Sequence, residues 1–131
     1  MHTGDITQAR TLEFLARLEA PLVGVYGNND QGERPGLEVA ARRLGVRLAE
    51  APLELAWAGR RIVVVHDPRD LEATPPGAWN LALHGHTHRL ALEPRGGGIL
   101  FNPGERAGLM TGRNAIGVVD LARLAAELLY F

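Results

Sequence analysis

The sequence predicts an α/β fold. Helix and strand patterns alternate through the first half, and short apolar strands bounded by glycine and proline fill the second. The side chains best suited to bind a metal follow the predicted strand ends, where open α/β sheets build their sites.

Each element has a local reason. Thr7 through Glu19 carries apolar residues at Leu12, Leu15, Ala16 and Leu18, the spacing of one helix face, with Thr7 as the expected N-cap. Pro21 to Tyr26 reads as a short buried strand running into the loop Gly27-Asn28-Asn29-Asp30-Gln31-Gly32. Pro35 sits where a helix tolerates proline, and Gly45 stops that helix after Leu44. Leu53 to Trp57 alternates, Gly59 turns, and Arg61 to Val65 returns as a hairpin ending at His66. Asp67 to Gly77 holds three prolines and reads as loop. Trp79 to Leu83 is a strand that ends at a histidine cluster. Leu90 to Leu92 and Ile99 to Phe101 form another hairpin. Ala115 to Leu121 and Leu124 to Phe131 read as a last strand pair; helix propensity competes over 121–129, but the run opens Ile116-Gly117-Val118-Val119 and closes Tyr130-Phe131.

Composition narrows the chemistry. The 131 residues suffice for one domain with a real core, and 46% of them are apolar, too many for a disordered chain. The formal net charge of -1 carries no nucleic-acid or membrane-surface footprint, so neither is an expected partner. No apolar run is long enough to span a bilayer. Cysteine is absent, so a metal must be held by nitrogen and oxygen, in keeping with a cytoplasmic location. All 14 basic residues are arginine, which excludes lysine nucleophiles.

Three of the five histidines, His84, His86 and His88, fall within five residues just past Leu81-Ala82-Leu83. Imidazole is the commonest neutral metal ligand. Asp5 precedes the first helix, Asn28 follows the first strand and His66 follows the hairpin. Alone, Asp5 reads as a cap, Asn28 as a turn residue and His66 as a loop histidine. Their equivalent placement at successive strand ends argues for one shared site.

In that order, Gly4-Asp5, Gly27-Asn28-Asn29-Asp30, His66 and Gly85-His86-Thr87-His88 resemble the calcineurin-like metallophosphoesterases, in their small single-domain phosphodiesterase branch. Asn102-Pro103-Gly104 resembles a turn of that branch. The resemblance implies one domain over 1–131, a two-sheet α/β sandwich flanked by helices in four layers, and a site at strand ends on one rim. It implies two divalent ions bridged by one carboxylate. Asp5 resembles the bridge, Asn28, His66 and His86 the other ligands of one ion, and His88 a ligand of the second. Asn29 and Asp30 are the expected catalytic positions. This ligand chemistry suits Mn, Fe, Ni or Zn. The implied reaction is hydrolysis of a small phosphate ester, most plainly a phosphodiester, by a metal-activated water.

Three departures from the family pattern bear on these expectations. The family's opening Asp-x-His strand motif is not in the sequence, which starts at Met1-His2-Thr3-Gly4-Asp5. The expectation is a missing N-terminal strand, one well-held ion in place of two, and impaired activity, with an internal start codon favoured over a natural short form. Asn29 stands where a catalytic histidine often sits, and an amide is no general acid. Asp67 follows His66 where glycine is usual.

The alternative function is an inactive phosphoesterase-like scaffold, a role taken by a coat subunit of the same superfamily. A nuclease reading is weaker, because the charge is acidic. Loops 69–78 and 103–113 are the expected specificity rim, with Arg106 and Arg113 as candidate phosphate partners against the plainer reading of loop arginines. An unpaired sheet edge predicts that a second copy could cover it.

Overall fold

Alternate residues of the central strands are buried on opposite faces, and this alternation builds the layers. The computed structural model describes residues 1–72, 74, 75, 77–106, 108 and 112–131. The expected rim loops 69–78 and 103–113 therefore include residues 73, 76, 107 and 109–111 that lie outside the described set.

A first helix, α1 (Ala9–Leu15), continues as a 3-10 turn over Ala16–Leu18. Strand β1 (Val23–Val25) leads through a 3-10 turn, Asn28–Glu33, into helix α2 (Arg34–Leu44). Gly45, at φ 68°, ends α2, and the Val46 amide donates back to the Ala41 carbonyl at 2.9 Å. The chain then forms β2 (Arg47–Ala49), parallel to β1. This βαβ unit matches the expected parallel pairing, but β2 itself was not foreseen. It is three residues long, starts with an exposed arginine, and lacks the β-branched run that marks a strand. His2 adds a parallel bridge beside Gly24.

The second half gives β3 (Leu53–Trp57), β4 (Arg60–Val64), β5 (Leu81–Leu83), β6 (Leu90–Arg95) and β7 (Gly98–Pro103). They form one sheet in the order β3-β4-β5-β7-β6, with β4, β5 and β7 parallel and both edge strands antiparallel. Strands β8 (Ala115–Asp120) and β9 (Ala125–Tyr130) make a separate hairpin, as the strand reading of 121–129 required.

Val23, Val25, Ile62, Val64, Leu81 and Phe101 fill the space between the two-stranded and five-stranded sheets, and Val119, Ala126 and Leu128 of the last hairpin join them. Val63, Val65, Ala82 and Leu100 point the other way, against Leu71 and Trp79. Burial on both faces explains why these strands read as continuous apolar runs. Leu12, Leu37, Ala40 and Ala41 bring α1 and α2 onto the outer face of the smaller sheet with Ile6 and Val46. Each fully buried aliphatic side chain contributes roughly 1.5–3 kcal/mol. The layers run helices, small sheet, large sheet, then a cover of loop and a 3-10 turn at Pro68–Leu71. The expected sandwich is present; its fourth layer is a short turn where a full helix was expected.

Two expectations about α1 need correction. The helix starts at Ala9, and Thr7 does not cap it; Gln8 occupies the cap position without a side-chain bond. Thr7 stands at φ 62°, and its amide donates to Asp30 Oδ1 at 2.7 Å. That positive φ is incompatible with the extended backbone of an N-cap, and a buried carboxylate 23 residues away bonds the amide in this conformation.

Candidate metal centre

The carboxyl ends of β1, β4, β5 and β7 deliver the loops that carry the site. The loop before α1 meets them. Its approach depends on two glycines. Gly4 stands at φ +96°, where a Cβ would also lie 2.5 Å from His66 Nδ1. A Cβ at Gly27 would fall on the Asp5 carboxylate.

Asp5, half-buried at φ 57°, has both oxygens occupied by Asn29. The Asn29 amide donates to Oδ1 at 2.9 Å and its Nδ2 donates to Oδ2 at 2.8 Å. His66 is buried, and its Nδ1 donates to the Thr3 carbonyl at 2.8 Å. A carbonyl only accepts, so Nδ1 carries its proton there and Nε2 is the ring atom turned inward, the tautomer in which Nε2 can ligate a metal. That nitrogen lies 2.8 Å from Asn28 Oδ1 and 3.5 Å from Asp5 Oδ1. His86 Nδ1 closes the group, 3.0 Å from Asn28 Oδ1 and 3.1 Å from His66 Nε2. The two imidazoles meet edge to face.

Asn28 Oδ1, Asp5 Oδ1, His66 Nε2 and His86 Nδ1 therefore converge on one space, and each can offer a lone pair there. A cation can take all four. Donors about 2.1 Å from one ion stand about 3.0 Å apart at right angles and about 3.4 Å apart at the tetrahedral angle. The observed separations of 2.8, 3.0, 3.1 and 3.5 Å lie within about 0.2 Å of those edges. The residues present thus fit one divalent ion held by Asp5, Asn28, His66 and His86. Among the described residues, no His, Cys, Asp or Glu side chains form a metal group of three on their own. The amide oxygen of Asn28 is what joins these donors.

The outer nitrogen of His86 faces Asp67, with Nε2 3.6 Å from Oδ2. Hydrogen bonds from the Arg69 guanidinium hold the Asp67 carboxyl down to about 2, so it stays ionised. The residue that departs from the family pattern thus places a negative charge behind a candidate ligand.

The remaining expected residues separate into three positions. Asp30 is fully buried; its oxygens accept from the Thr7 and Gly27 amides, each at 2.7 Å. It anchors the loop from within the fold. Asn29 lines the cleft, with its amide committed to Asp5. His88 is exposed at φ 56° and lines the same cleft, but none of the described hydrogen bonds or ion pairs joins it to the other donors. His84 points away into the structure, and burial pushes its imidazole pKa down.

The cleft extends from the donors as a cavity of about 770 Å³ between the sheets. Trp57, Leu81, Phe101 and Val119 form apolar wall, and Arg106 is a lining cation. His2 lies on this wall with a pKa lowered to about 4, by burial first and by the Arg106 charge second. Arg113 sits just ahead of β8.

Sequence reasoning did not find Thr3, whose contribution is a main-chain carbonyl and leaves no residue-type signal. It noticed Asp67 and Asn102 without their roles.

A two-sheet α/β sandwich with nitrogen and oxygen donors gathered at strand ends defines the class. The profile of the calcineurin-like phosphoesterase superfamily domain matches residues 1–123, and the chain belongs to that family. It is 27% identical over 124 residues to a phosphodiesterase of Methanocaldococcus jannaschii, an alignment covering 92% of this chain and 74% of the relative. The structure of an archaeal phosphodiesterase superimposes with a TM-score of 0.88 at 25% identity, over 99% of this chain and 81% of the other. Vacuolar protein sorting 29 of Cryptosporidium parvum shares the fold, with a TM-score of 0.60 at 18% identity over 98% of this chain and 78% of that one. No helix among the described residues is long and apolar enough to cross a membrane.

Proposed function

We propose that this chain is a divalent-metal-dependent phosphoesterase directed at small phosphodiesters as a single domain, with impaired activity because one ion site of the family's two is assembled. The observation that carries the reading is His66, whose Nδ1 donates to the Thr3 carbonyl while Nε2 faces the oxygens of Asn28 and Asp5. Likeness to an archaeal phosphodiesterase, in sequence and in structure, supports the substrate class.

Asp5, Asn28, His66 and His86 hold the ion, and Mn, Fe, Ni and Zn all suit that donor set. When bound, a divalent ion polarises a phosphoryl oxygen and lowers the pKa of a water toward neutrality. The chain's own groups organise the rest. Thr3 keeps the His66 proton on Nδ1, away from the site. Asn29 orients both oxygens of Asp5; its amide moves no proton. Asp67 backs His86 from outside. Arg106 offers a guanidinium to a phosphate oxygen at the cleft wall. One ligand set is assembled, with His88 outside it, so the expected stoichiometry is about one tightly held ion per chain.

Metal analysis after dialysis, with hydrolysis of bis-p-nitrophenyl phosphate in Mn²⁺, tests the reading. Expected are close to one ion per chain, weak hydrolysis that EDTA removes, and loss of both properties in His66→Ala. A chain that retains no ion and hydrolyses nothing with Mn²⁺, Fe²⁺, Ni²⁺ or Zn²⁺ overturns it. A scaffold role is favoured by one observation: Ile116, Val118, Leu129 and Phe131 of the last hairpin are exposed apolar residues. Metal binding without hydrolysis selects that role.

A further inference from the structure

We propose that Asn102 is a positioning residue for His86: its buried carboxamide clasps the Gly85–Thr87 turn and so presents the imidazole to Asn28 and His66. The inference rests on the reading of His86 as a metal ligand.

Asn102 lies on β7 and is 1% exposed. Its Nδ2 donates to the Gly85 carbonyl at 3.0 Å and to Thr87 Oγ1 at 3.1 Å. Its Oδ1 accepts from the Gly104 amide at 2.9 Å, which fixes the amide's orientation. The two acceptors flank His86 in the chain. His86 itself stands at φ 62°, a left-handed conformation that crowds the Cβ of any non-glycine residue. Such a residue persists where its surroundings over-determine it. The Gly85 amide ties the start of the turn to the His66 carbonyl at 3.1 Å, and Thr87 closes onto Gly85. Asn102 ties both flanks to the sheet. Without those bonds, nothing in the local sequence favours the left-handed state, and relaxation would carry Nδ1 away from Asn28.

Asn102→Asp keeps the acceptor for Gly104 and removes the donors. Thr87→Ala removes one acceptor from an exposed residue, and Thr87→Ser keeps it. The first measurement is made without metal. A left-handed residue gives a strong intraresidue HN–Hα NOE, expected at His86 in the native protein and in Thr87→Ser. It should weaken in Asn102→Asp and in Thr87→Ala. The second is Mn²⁺ affinity by calorimetry, well below each variant's melting midpoint. Asn102→Asp should bind roughly 10- to 100-fold more weakly, the usual cost of losing a residue that orients a ligand. Thr87→Ala should fall in the same direction, with its metal-free midpoint unchanged. An NOE that persists in both variants, or unchanged Mn²⁺ affinity in folded Asn102→Asp, overturns the clasp. If Asn102→Asp does not fold, the Thr87 pair decides. A native chain that binds no Mn²⁺ defeats the functional reading, and the metal-free NOE still judges the clasp.

Discussion

Asn29 grips both oxygens of Asp5, one through its backbone amide and one through its side chain. The carboxylate is thereby held in one orientation before any ion arrives, and its charge is partly compensated. Hydrogen bonds to charged groups contribute about 1.5–3 kcal/mol, and partial exposure of this pair places its value near the low end. Asn29→Ala keeps the backbone bond and frees Oδ2. The expected result is Mn²⁺ binding roughly tenfold weaker, with the fold intact, because loss of a residue that orients a ligand acts at this scale. Titration calorimetry on the folded variant checks it; unchanged affinity would show that the backbone amide suffices.

His86 should matter to metal retention more than His88. His86 Nδ1 belongs to the four-donor group, whereas His88 stands in the same cleft outside it. An ion that binds only the folded state raises the melting midpoint by mass action. Excess Mn²⁺ should therefore raise the midpoint of the native chain and of His88→Ala, and leave His86→Ala nearly unmoved. The reverse pattern would assign the ion to the wrong donors.

How far the sequence carried these conclusions follows from where each signal lives. Val63 and Val64 face opposite layers, so the strands buried on both sides advertise themselves as apolar runs. Gly45 marks a helix end because the left-handed cap needs it. Donor residues at strand ends were visible because side-chain chemistry is written in residue types. Thr7 misled because it stands at φ 62°, outside the extended conformation an N-cap takes, with its amide held by Asp30 across 23 residues and no local trace of that bond. Thr3 acts through a carbonyl that every residue possesses. The strand Arg47–Ala49 forms because β1 offers it an edge, and its own propensity is weak.

Asp30 illustrates what such a long-range bond is worth. Its carboxylate is fully buried between two amide donors. Asp30→Asn is isosteric, but turns an NH₂ toward one of those amides and removes the charge. Losing one charge-assisted bond and stranding a buried donor should cost about 3 kcal/mol. Urea denaturation of the metal-free protein should show the midpoint fall with an unchanged slope. A loss well under 1 kcal/mol would mean that the loop rearranges around the amide.

Stability of the metal-free chain should also fall in mild acid, and His2 gives the window. Its pKa is about 4 in the folded protein, depressed by burial and then by Arg106, against about 6.5 when unfolded. Between those values the unfolded chain binds more protons, so stability rises with pH across about 4 to 6.5 and is level above. The shift corresponds to roughly 3–4 kcal/mol at full development, reached only below pH 4. His84, also lowered by burial, adds a slope of the same sign. Asp67 acts lower down: its contribution is present above its ordinary carboxylate range and is lost as pH falls through about 2. Urea titrations in EDTA at pH 7.5, 5.5 and 4.5 should show a progressive loss. In His2→Gln, which cannot titrate, that loss should shrink by the larger part. An equal loss in the variant would assign the acid sensitivity to other groups.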